Sequence, residues 1–513
     1  MKKSYSGAGD DDIGISTGFP AISAEDAGLS FLKRGAVLKN QGRVGFCAAV
    51  SDDGKGRKAV FGGKFGTAEP VQGSMWMTRL AFLMFPGLMM AAACAAAADL
   101  PMRPNVIYIN CDDLGYGDLA CYGAKDIRTP HLDRMAAEGT RFTDFSVVSA
   151  LCTPSRAALM TGRYPGRSGL ATGVLRPDAV KGLMPAELTL GEVAQGVGYT
   201  TGCIGKWHLG FQPGMRPMEQ GFGSYYGVLH NLDHFETVVF EKEGGMPVLR
   251  GDAVEKRPAV PAEMTGLYTA EALKFIEANR ERPFFLYLGH AMPHLPFDAS
   301  PKFKGRSARG LYGDVVEELD DSTGQILDKL RALGIAEKTL VIFTSDNGPE
   351  RKTPGTAAPL SGSKHTVFEG GLRVPCIAWW PGKVPAGRVC GEFVSTLDVL
   401  PTLAGLTGSE LPKDLKLDGD DIRPVLLDAA AKSARKTLYS LYGYKKNRKE
   451  SMRENGWKLH LTQPPTLYQL TNDVSELTDV ASQHPDMVKH LSDLAVQYRE
   501  DTRALATPTE PLP

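Results

Sequence analysis

The fold is indicated first by the stretch Val106-Ile107-Tyr108-Ile109-Asn110-Cys111-Asp112-Asp113, in which a short apolar run leads directly into two carboxylates. Three further apolar runs also lead into polar residues: Tyr199 to Ile204, Phe284 to Leu288 and Leu340 to Phe343. Short apolar runs separated by helical segments indicate an α/β fold with a large, mostly parallel or mixed sheet flanked by helices. One such helix is predicted from Tyr312 to Leu333, with Gly334 where a C-terminal cap belongs.

The residues that follow these four runs are polar groups that can carry chemistry. They are Asp112-Asp113 after the first run, Lys206 and His208 after the second, His290 and His294 after the third, and Asp346-Asn347 after the fourth. Ligands of open α/β sheets bind outside the carboxyl ends of the strands, so these groups are predicted to converge on one crevice.

Four of these side chains offer only oxygen ligands: Asp112, Asp113, Asp346 and Asn347. Hard cations such as Ca²⁺ bind to oxygen sets of this kind, and a divalent cation relieves the repulsion among unpaired carboxylates. Asp-Asp and Asp-Asn-Gly are also common turn sequences, and either pair alone favours a turn. Because both pairs follow apolar strands, the sequence predicts a metal site.

Length, charge and cysteine content narrow the class of protein. The chain has 513 residues, 23% of them charged, with a formal net charge of -1. A chain of this length is expected to form a large domain and a smaller one, and its charge balance gives no reason to propose a nucleic-acid partner or a stable membrane partner. The eight cysteines include no CxxC pair, and their sparse, irregular spacing is typical of neither a disulfide framework nor a zinc site.

The N-terminal region has the features of an export signal. Residues 1–74 are rich in Gly, Lys and Asp without helical or strand periodicity, which indicates a non-native or disordered extension. Residues 75–98 contain a short basic region, an apolar run and the small-residue site Ala96-Ala97-Ala98, which is the order of a signal peptide. We therefore expect export to the periplasm or the extracellular space. A transmembrane anchor and a lipoprotein anchor at Cys94 are the alternatives.

From about residue 435 onward, the pattern of apolar residues changes. Short strands are predicted at Tyr439 to Tyr442, Trp457 to Leu461 and Leu467 to Leu470, followed by a helix from Pro485 to Arg503. We interpret residues 99–435 as the catalytic domain and residues 436–513 as a smaller subdomain with an antiparallel sheet and a helix.

The most specific motif is Cys152-Thr153-Pro154-Ser155-Arg156 with Leu159, Thr161, Gly162 and Arg163, which reads C-x-P-S-R-x-x-L-x-T-G-R. Proline suits a first helical turn, and a helix N-terminus presents N–H groups that favour an anion. A plain cysteine nucleophile and a buried structural cysteine are the competing interpretations.

This motif resembles the signature of the formylglycine-dependent (type I) sulfatases, a family of the alkaline phosphatase superfamily that includes arylsulfatases and N-acetylgalactosamine-6-sulfatases. Three further segments are similar to family motifs: the G-Y-x-T-x-x-x-G-K-W-H run from Gly198 to His208, the histidine loop from His290 to Pro296, and the segment from Gly362 to Gly371. The resemblance extends from about Pro104 to the end of the chain and implies an alkaline-phosphatase-like fold.

The resemblance also implies a nucleophile and its proton carriers. A formylglycine-generating enzyme would convert Cys152 to formylglycine, whose hydrate attacks sulfur while Asp346 takes the proton. Arg156 would hold the hydrate, and His294 would protonate the departing alcohol. His208 would then remove a proton from the second hydroxyl, so that the aldehyde reforms and sulfate is expelled.

Binding roles follow from the same resemblance. Lys206 and Lys364 would bind the sulfate oxygens, and one Ca²⁺ per chain would be bound by Asp112, Asp113, Cys152, Asp346 and Asn347. Asn231 stands where arylsulfatases have a substrate-holding serine, a departure that concerns the leaving-group side of the pocket.

The expected function is therefore hydrolysis of sulfate esters, on sulfated carbohydrates or aryl sulfates. A phosphoester or phosphonate monoester hydrolase of the same superfamily is one alternative, and the two lysines with His294 favour sulfate over it. An inactive glycan-binding homologue in which Cys152 remains a thiol is the other alternative.

Overall fold

The computed structural model describes residues 103–233, 237–444 and 447–504. The predicted N-terminal extension, residues 1–74, and the predicted signal peptide, residues 75–98, lie outside the described residues. In the described part of the chain, no helix is both long and apolar enough to cross a membrane.

The strands form one large sheet, a short two-stranded pair and one small sheet. In chain order they are β1 (Asn105–Cys111), β2 (Thr140–Phe142), β3 (Phe145–Ser146), β4 (Thr200–Gly205), β5 (Ser224–Gly227), β6 (Val248–Arg250), β7 (Ala253–Lys256), β8 (Phe284–Gly289), β9 (Thr339–Ser345), β10 (Cys376–Trp379), β11 (Arg388–Cys390), β12 (Val394–Ser395), β13 (Thr437–Tyr444), β14 (Asn447–Glu454), β15 (Trp457–His460) and β16 (Thr466–Gln469).

The helices follow the strands or connect them. They are α1 (Pro130–Glu138), α2 (Cys152–Thr161), α3 (Leu190–Gly196), α4 (Pro261–Ala278), α5 (Gly310–Ala332), α6 (Glu369–Leu372), α7 (Val399–Thr407), α8 (Arg423–Leu427) and α9 (Pro485–Ala504). Helix α5 agrees with the prediction to within two residues, and Gly334 beyond it has a positive φ of 66°.

The large sheet has ten strands in the order β11-β2-β10-β9-β1-β8-β4-β5-β6-β7. Its centre is parallel, because β1 pairs in parallel with both β8 and β9, and β4 pairs in parallel with β8 and β5. The edges add antiparallel pairs such as β10 with β9 and β5 with β6. The four predicted strands are the four central ones, and the expected α/β fold is confirmed.

Alternate residues of β1 face two different cores. Ile107 and Ile109 pack with apolar side chains of α1, α4 and α5, whereas Val106 and Tyr108 pack with those of α2, α3 and α7. A strand buried on both faces is a near-continuous apolar run, which is the pattern that the sequence shows here. Helices therefore cover both faces of the sheet and leave its strand ends for the site.

The small sheet is antiparallel with the order β13-β14-β15-β16, and α9 packs against it through Leu491 and Ala495. Strand β14 is absent from the sequence prediction because its residues are mostly charged or polar, with Met452 as its buried apolar contact. Met452 belongs to an apolar cluster that also contains Val148 and Ala158. The small sheet therefore packs behind helix α2.

Candidate active site

Most of the polar residues predicted to converge lie together at the carboxyl ends of β1, β4 and β9. His290 is an exception, because its Nε2 atom lies 3.5 Å from Oγ of Ser322 in helix α5. Asp112 and Asp113 follow β1, Lys206 follows β4, and Asp346 follows β9. All four side chains are buried. The loop after β8 adds His294, whose Nε2 atom lies 3.7 Å from Oδ2 of Asp113.

Cys152 is the first residue of helix α2 and has no exposed surface. Its Sγ atom lies 3.4 Å from Oδ1 of Asp112 and 3.7 Å from Nζ of Lys364. Burial raises the pKa of the Cys152 thiol well above its usual value, and the charge of Asp112 adds to that rise. A thiol in this environment stays protonated, which disfavours the plain cysteine nucleophile.

Three cations neutralise the three carboxylates of the site. The Nζ atoms of Lys206 and Lys364 donate to Asp112 and Asp113 at 2.6 and 2.7 Å. Arg156 donates to Oδ2 of Asp346 at 2.9 Å. These six charged groups are nearly or fully buried, so their interactions are screened little by solvent.

The environment separates the pKa values of two of these carboxylates. Burial alone would raise the pKa of Asp112, but Lys206, His294 and Arg156 together hold it well below its usual range. Burial raises the pKa of Asp346 to about 7, the charge of Asp112 adds to that rise, and Arg156 opposes it. A carboxylate with a pKa near neutrality is suited to accept a proton at physiological pH.

Four potential ligand atoms, one each from Asp112, Asp113, Cys152 and His294, lie within 4.8 Å of one another. Asn347 is adjacent, because its Nδ2 atom donates to Oδ1 of Asp113 at 2.7 Å. Its Oδ1 atom is buried and has no hydrogen-bond partner among the described residues. A buried amide oxygen without a donor fits a hard cation, as does the pair of aspartates beside it.

The two histidines are oriented by backbone carbonyls. Nε2 of His208 lies 2.9 Å from O of Leu175, and Nδ1 of His294 lies 2.5 Å from O of Leu295. A carbonyl can only accept, so each of these two nitrogens carries a proton. Asp113 and His208 have positive φ angles of 67° and 60°, which non-glycine residues adopt rarely and mainly at functional sites.

The structure places Asn231 in the buried loop after β5, next to His230. The ring centroid of His230 lies 6.5 Å from that of His208. Asn231 is thus in the loop that borders the His208 side of the site, and its substrate contact remains an expectation.

Two supporting residues were missed by the sequence analysis. The hydroxyl of Tyr287 accepts from Nη1 of Arg156 at 3.0 Å and from Nδ2 of Asn110 at 3.2 Å. The hydroxyl of Thr153 donates to O of His208 at 3.1 Å and accepts from the N–H of Leu175. Tyr287 lies within an apolar strand, where a tyrosine gives no signal that separates it from an ordinary core residue.

Known proteins are similar to this chain over most of its described residues. The family model described as sulfatase matches residues 104–409, and that described as N-sulphoglucosamine sulphohydrolase, C-terminal, matches residues 363–501. Arylsulfatase A of Homo sapiens is 39% identical over 79% of this chain and 89% of its own length. N-acetylgalactosamine-6-sulfatase of Rattus norvegicus is 41% identical over 67% of this chain and 69% of its own length.

A solved structure has the same fold over most of its length. The crystal structure of Ps i-CgsB in complex with k-i-k-neocarrahexaose superposes with a TM-score of 0.71 and 31% identity. The superposition covers 79% of this chain and 95% of that one. Members of this family generally use a formylglycine residue and a divalent metal.

Proposed function

This chain belongs to the sulfatase family and is a sulfuric ester hydrolase, and from that premise we propose that it hydrolyses sulfate esters of carbohydrates with Cys152 as the source of the nucleophile. The observation that carries the proposal is the position of the Cys152 Sγ atom, 3.4 Å from Asp112 and 3.7 Å from the ammonium group of Lys364. A nucleophile at this point is next to a cation that can hold a sulfate oxygen.

A carbohydrate substrate is supported by two of the similar proteins. One is named for N-acetylgalactosamine 6-sulfate, and the other was crystallised with k-i-k-neocarrahexaose. Aryl sulfates remain candidate substrates, because arylsulfatase A is also among the similar proteins.

The proposed nucleophile is a hydroxyl of the formylglycine hydrate at position 152. Asp346 accepts the proton of the attacking hydroxyl, and Arg156 keeps that carboxylate in place. Lys206 and Lys364 neutralise charge on the sulfate oxygens as it develops. His294, protonated on both ring nitrogens before this step, gives the Nε2 proton to the departing sugar alcohol and keeps the Nδ1 proton that it donates to Leu295.

Release of sulfate needs a second proton transfer at the same residue. His208 carries its own proton on Nε2, which donates to Leu175, so Nδ1 is the basic atom. Removal of the remaining hydrate proton reforms the aldehyde and breaks the bond to the sulfate oxygen. An ester of an unmodified serine or cysteine has no such proton, so it could not release its sulfate by this elimination.

The proposed metal is one Ca²⁺, held by Asp112, Asp113, Cys152 in its converted form, Asp346 and Asn347. When bound, a divalent cation supplies Lewis acidity and lowers the pKa of a coordinated hydroxyl. The His294 ring lies in the same group of potential ligand atoms, but imidazole is a ligand that calcium seldom takes. We therefore assign His294 to proton transfer.

Maturation requires a formylglycine-generating enzyme as a transient partner. Export is proposed on the basis of the signal-like residues 75–98. Cell fractionation and N-terminal sequencing of the mature protein test this, with Asp99 expected as the first residue. An uncleaved chain retained in the cytoplasm would contradict export.

Mass spectrometry tests the nucleophile directly. Protein produced with a formylglycine-generating enzyme is expected to yield the tryptic peptide Phe142–Arg156 lighter by the exchange of a thiol for an aldehyde. The peptide Gly182–Lys206, which contains the buried Cys203, is the internal control and should keep its thiol. The converted protein should hydrolyse 4-nitrophenyl sulfate, and Cys152→Ala should not.

The two competing functions have their own outcomes in this experiment. If the converted protein prefers 4-nitrophenyl phosphate or a phosphonate monoester to 4-nitrophenyl sulfate, the proposal that sulfate esters are its substrates is contradicted. A protein whose Cys152 stays a thiol under these conditions, and which binds sulfated glycans without turnover, would be the inactive homologue.

A further inference from the structure

The side chains of the site differ in how much of their surface is exposed to solvent. Asp112 and Lys206 have no exposed side-chain surface, whereas Lys364 is 6% and His294 is 11% exposed. His365, the next residue after Lys364, is 38% exposed. Exposure therefore rises from Lys206 through Lys364 to His365, which is a direction in which a bulky leaving group can reach solvent.

Three side chains at this opening contact one another, and we name them the mouth cluster: Glu350, His365 and Tyr442. Oε2 of Glu350 lies 3.1 Å from Nε2 of His365. The ring of Tyr442, from strand β13, lies 5.5 Å from that of His365 at an interplanar angle of 61°. All three side chains are partly exposed.

The backbone couples the mouth cluster to the reacting centre. The N–H of Lys364 donates to O of Pro349 at 2.9 Å, so the residues before His365 and Glu350 are hydrogen-bonded to each other. The N–H of His365 donates to O of Ala150, two residues before Cys152. His365 adopts a positive φ of 70°, a conformation that few non-glycine residues hold without a local requirement.

The charge at the mouth differs from the charge inside the site. The hydrogen bond from His365 lowers the pKa of Glu350 to about 2, and the nearby Lys364 contributes to that lowering. Glu350 is thus a carboxylate at physiological pH. A carboxylate accepts hydrogen bonds from hydroxyl groups and repels a second sulfate, and a half-exposed aromatic ring packs against the apolar face of a sugar.

We propose that Glu350 and His365, with Tyr442, form a subsite for the neutral, hydroxyl-bearing sugar ring whose sulfate lies in the site. Glu350 accepts hydroxyl hydrogens of that ring, His365 holds Glu350 in position, and Tyr442 packs against the ring. The inference rests on the proposed function, because it concerns the leaving group of the same reaction. It assigns a preference for monosulfated over disulfated sugars to the charge of Glu350.

The test compares two kinds of leaving group on the same enzyme. The variants are Glu350→Gln, His365→Gln and Tyr442→Phe, measured as formylglycine-containing protein on 4-nitrophenyl sulfate and on a panel of monosulfated and disulfated hexoses and hexosamines. The matched control is His490→Gln, which breaks a His–Glu pair of the same kind at 2.7 Å to Glu454 in the small sheet.

We expect Glu350→Gln and His365→Gln to lower kcat/KM for monosulfated sugars about tenfold, as loss of a charge-assisted hydrogen bond does, while turnover of the aryl sulfate changes little. Glu350→Gln should also raise the ratio of disulfated to monosulfated turnover. Tyr442→Phe keeps the ring and should retain most activity on both kinds of substrate. The control variant should behave as the parent.

Equal losses on aryl and sugar sulfates, or no loss on either, would overturn the subsite and leave the sulfatase function intact. Parent enzyme that hydrolyses the aryl sulfate and none of the sugars would also overturn it. Failure of the proposed function looks different, because verified formylglycine protein would then hydrolyse no sulfate ester at all.

Discussion

The ammonium group of Lys206 lies 2.6 Å from the carboxylate of Asp112, and neither side chain has exposed surface. Each residue follows a different strand of the large sheet, β4 and β1, with β8 between them. The pair therefore exists only because the sheet places the ends of three strands side by side. Because both charges are out of water, removal of one leaves the other uncompensated.

Lys206→Met is expected to lower the free energy of unfolding by about 3–5 kcal/mol, because the charge of Asp112 then remains buried without its partner. Adding Asp112→Asn to this variant should recover part of the stability and none of the activity. Urea unfolding and sulfate-ester turnover measure the two effects. The control Lys489→Met, at an exposed i,i+4 pair with Asp493, should leave both unchanged. A stable, active Lys206→Met protein would contradict both roles of the lysine.

Calcium is expected to stabilise the folded protein through the aspartate and asparagine oxygens. At a free concentration of 100 times Kd, a single site adds about 2.7 kcal/mol of stability, which a melting curve resolves. Asp113→Asn should reduce this gain sharply, and a chelator should remove it from the parent. Equal stabilisation by Mg²⁺ at matched concentrations would count against calcium, because Mg²⁺ demands a smaller octahedral site.

A second buried ion cluster links helix α6 to the small sheet. Glu369 of helix α6 accepts from Lys458 of β15 at 2.8 Å, and Lys458 also lies 3.1 Å from Glu476. Lys458→Met is expected to cost about 3–5 kcal/mol of stability. Because α6 belongs to the segment that carries Lys364, activity should also fall at temperatures where the variant is still folded.

The matched control for this second cluster is Lys432→Met, which removes a mostly exposed partner of Glu392. We expect that variant to unfold at the parent's urea midpoint. If Lys458→Met has the same midpoint as the control, the cluster contributes no stability across the two parts of the chain.

Gly205 ends strand β4 immediately before Lys206, with a positive φ of 100°. A Cβ atom there would lie 1.9 Å from the backbone O of Gly289, which is far too close for two atoms that are not bonded to each other. Gly205→Ala is therefore expected to destabilise the protein by about 3 kcal/mol or more and to displace Lys206. Gly266→Ala, in the interior of helix α4 where a Cβ meets no neighbour within 4 Å, should instead stabilise by about 0.5–1 kcal/mol.

His290 makes the free energy of unfolding depend on pH. Complete burial lowers its pKa to about 3, below the value of about 6.5 for an unfolded histidine. The neutral form belongs to the folded state, so this contribution to stability is present above pH 6.5 and is lost as the pH falls toward 3. The slope from this group approaches about 1.4 kcal/mol per pH unit within that window.

Replacement of His290 by Gln removes this titration, so we expect a flatter stability curve between pH 6.5 and 4, read from urea midpoints. The exposed His490→Gln serves as the comparison. An unchanged slope in the His290 variant would show that another group governs the acid sensitivity.

Much of the centre of the molecule was predictable from local patterns. The four apolar runs correspond to β1, β4, β8 and β9. A strand that is covered on both faces is apolar throughout, and such a run can be recognised in a short stretch of sequence. The edges were not predictable in this way. Strand β14 consists mostly of charged and polar residues and pairs through its backbone, which every residue carries, so its sequence has no distinguishing apolar pattern.

The residues of the site were also predictable only in part. The Cys152 motif and the residues after each strand could be named from the sequence. Each of them lies directly at a helix start or a strand end, which a short stretch of sequence identifies. The partners of those residues could not. Tyr287 supports Arg156 across 131 positions and Lys364 reaches Asp113 across 251, and contacts at such separations depend on strand order and register.

The amino-acid sequence alone determined the class of fold and which polar groups follow the strands, because strand periodicity, helix starts and strand ends are local properties of the chain. The reaction was implied by the resemblance of the Cys152 motif to a known family, which is also a local property of the sequence. Only the tertiary structure decided how the charges pair, which side chains of the site are exposed, and that His365 contacts both Glu350 and Tyr442. The physical reason is that burial and Coulomb interaction depend on distance in space, and the sheet alone sets that distance for residues far apart in the chain.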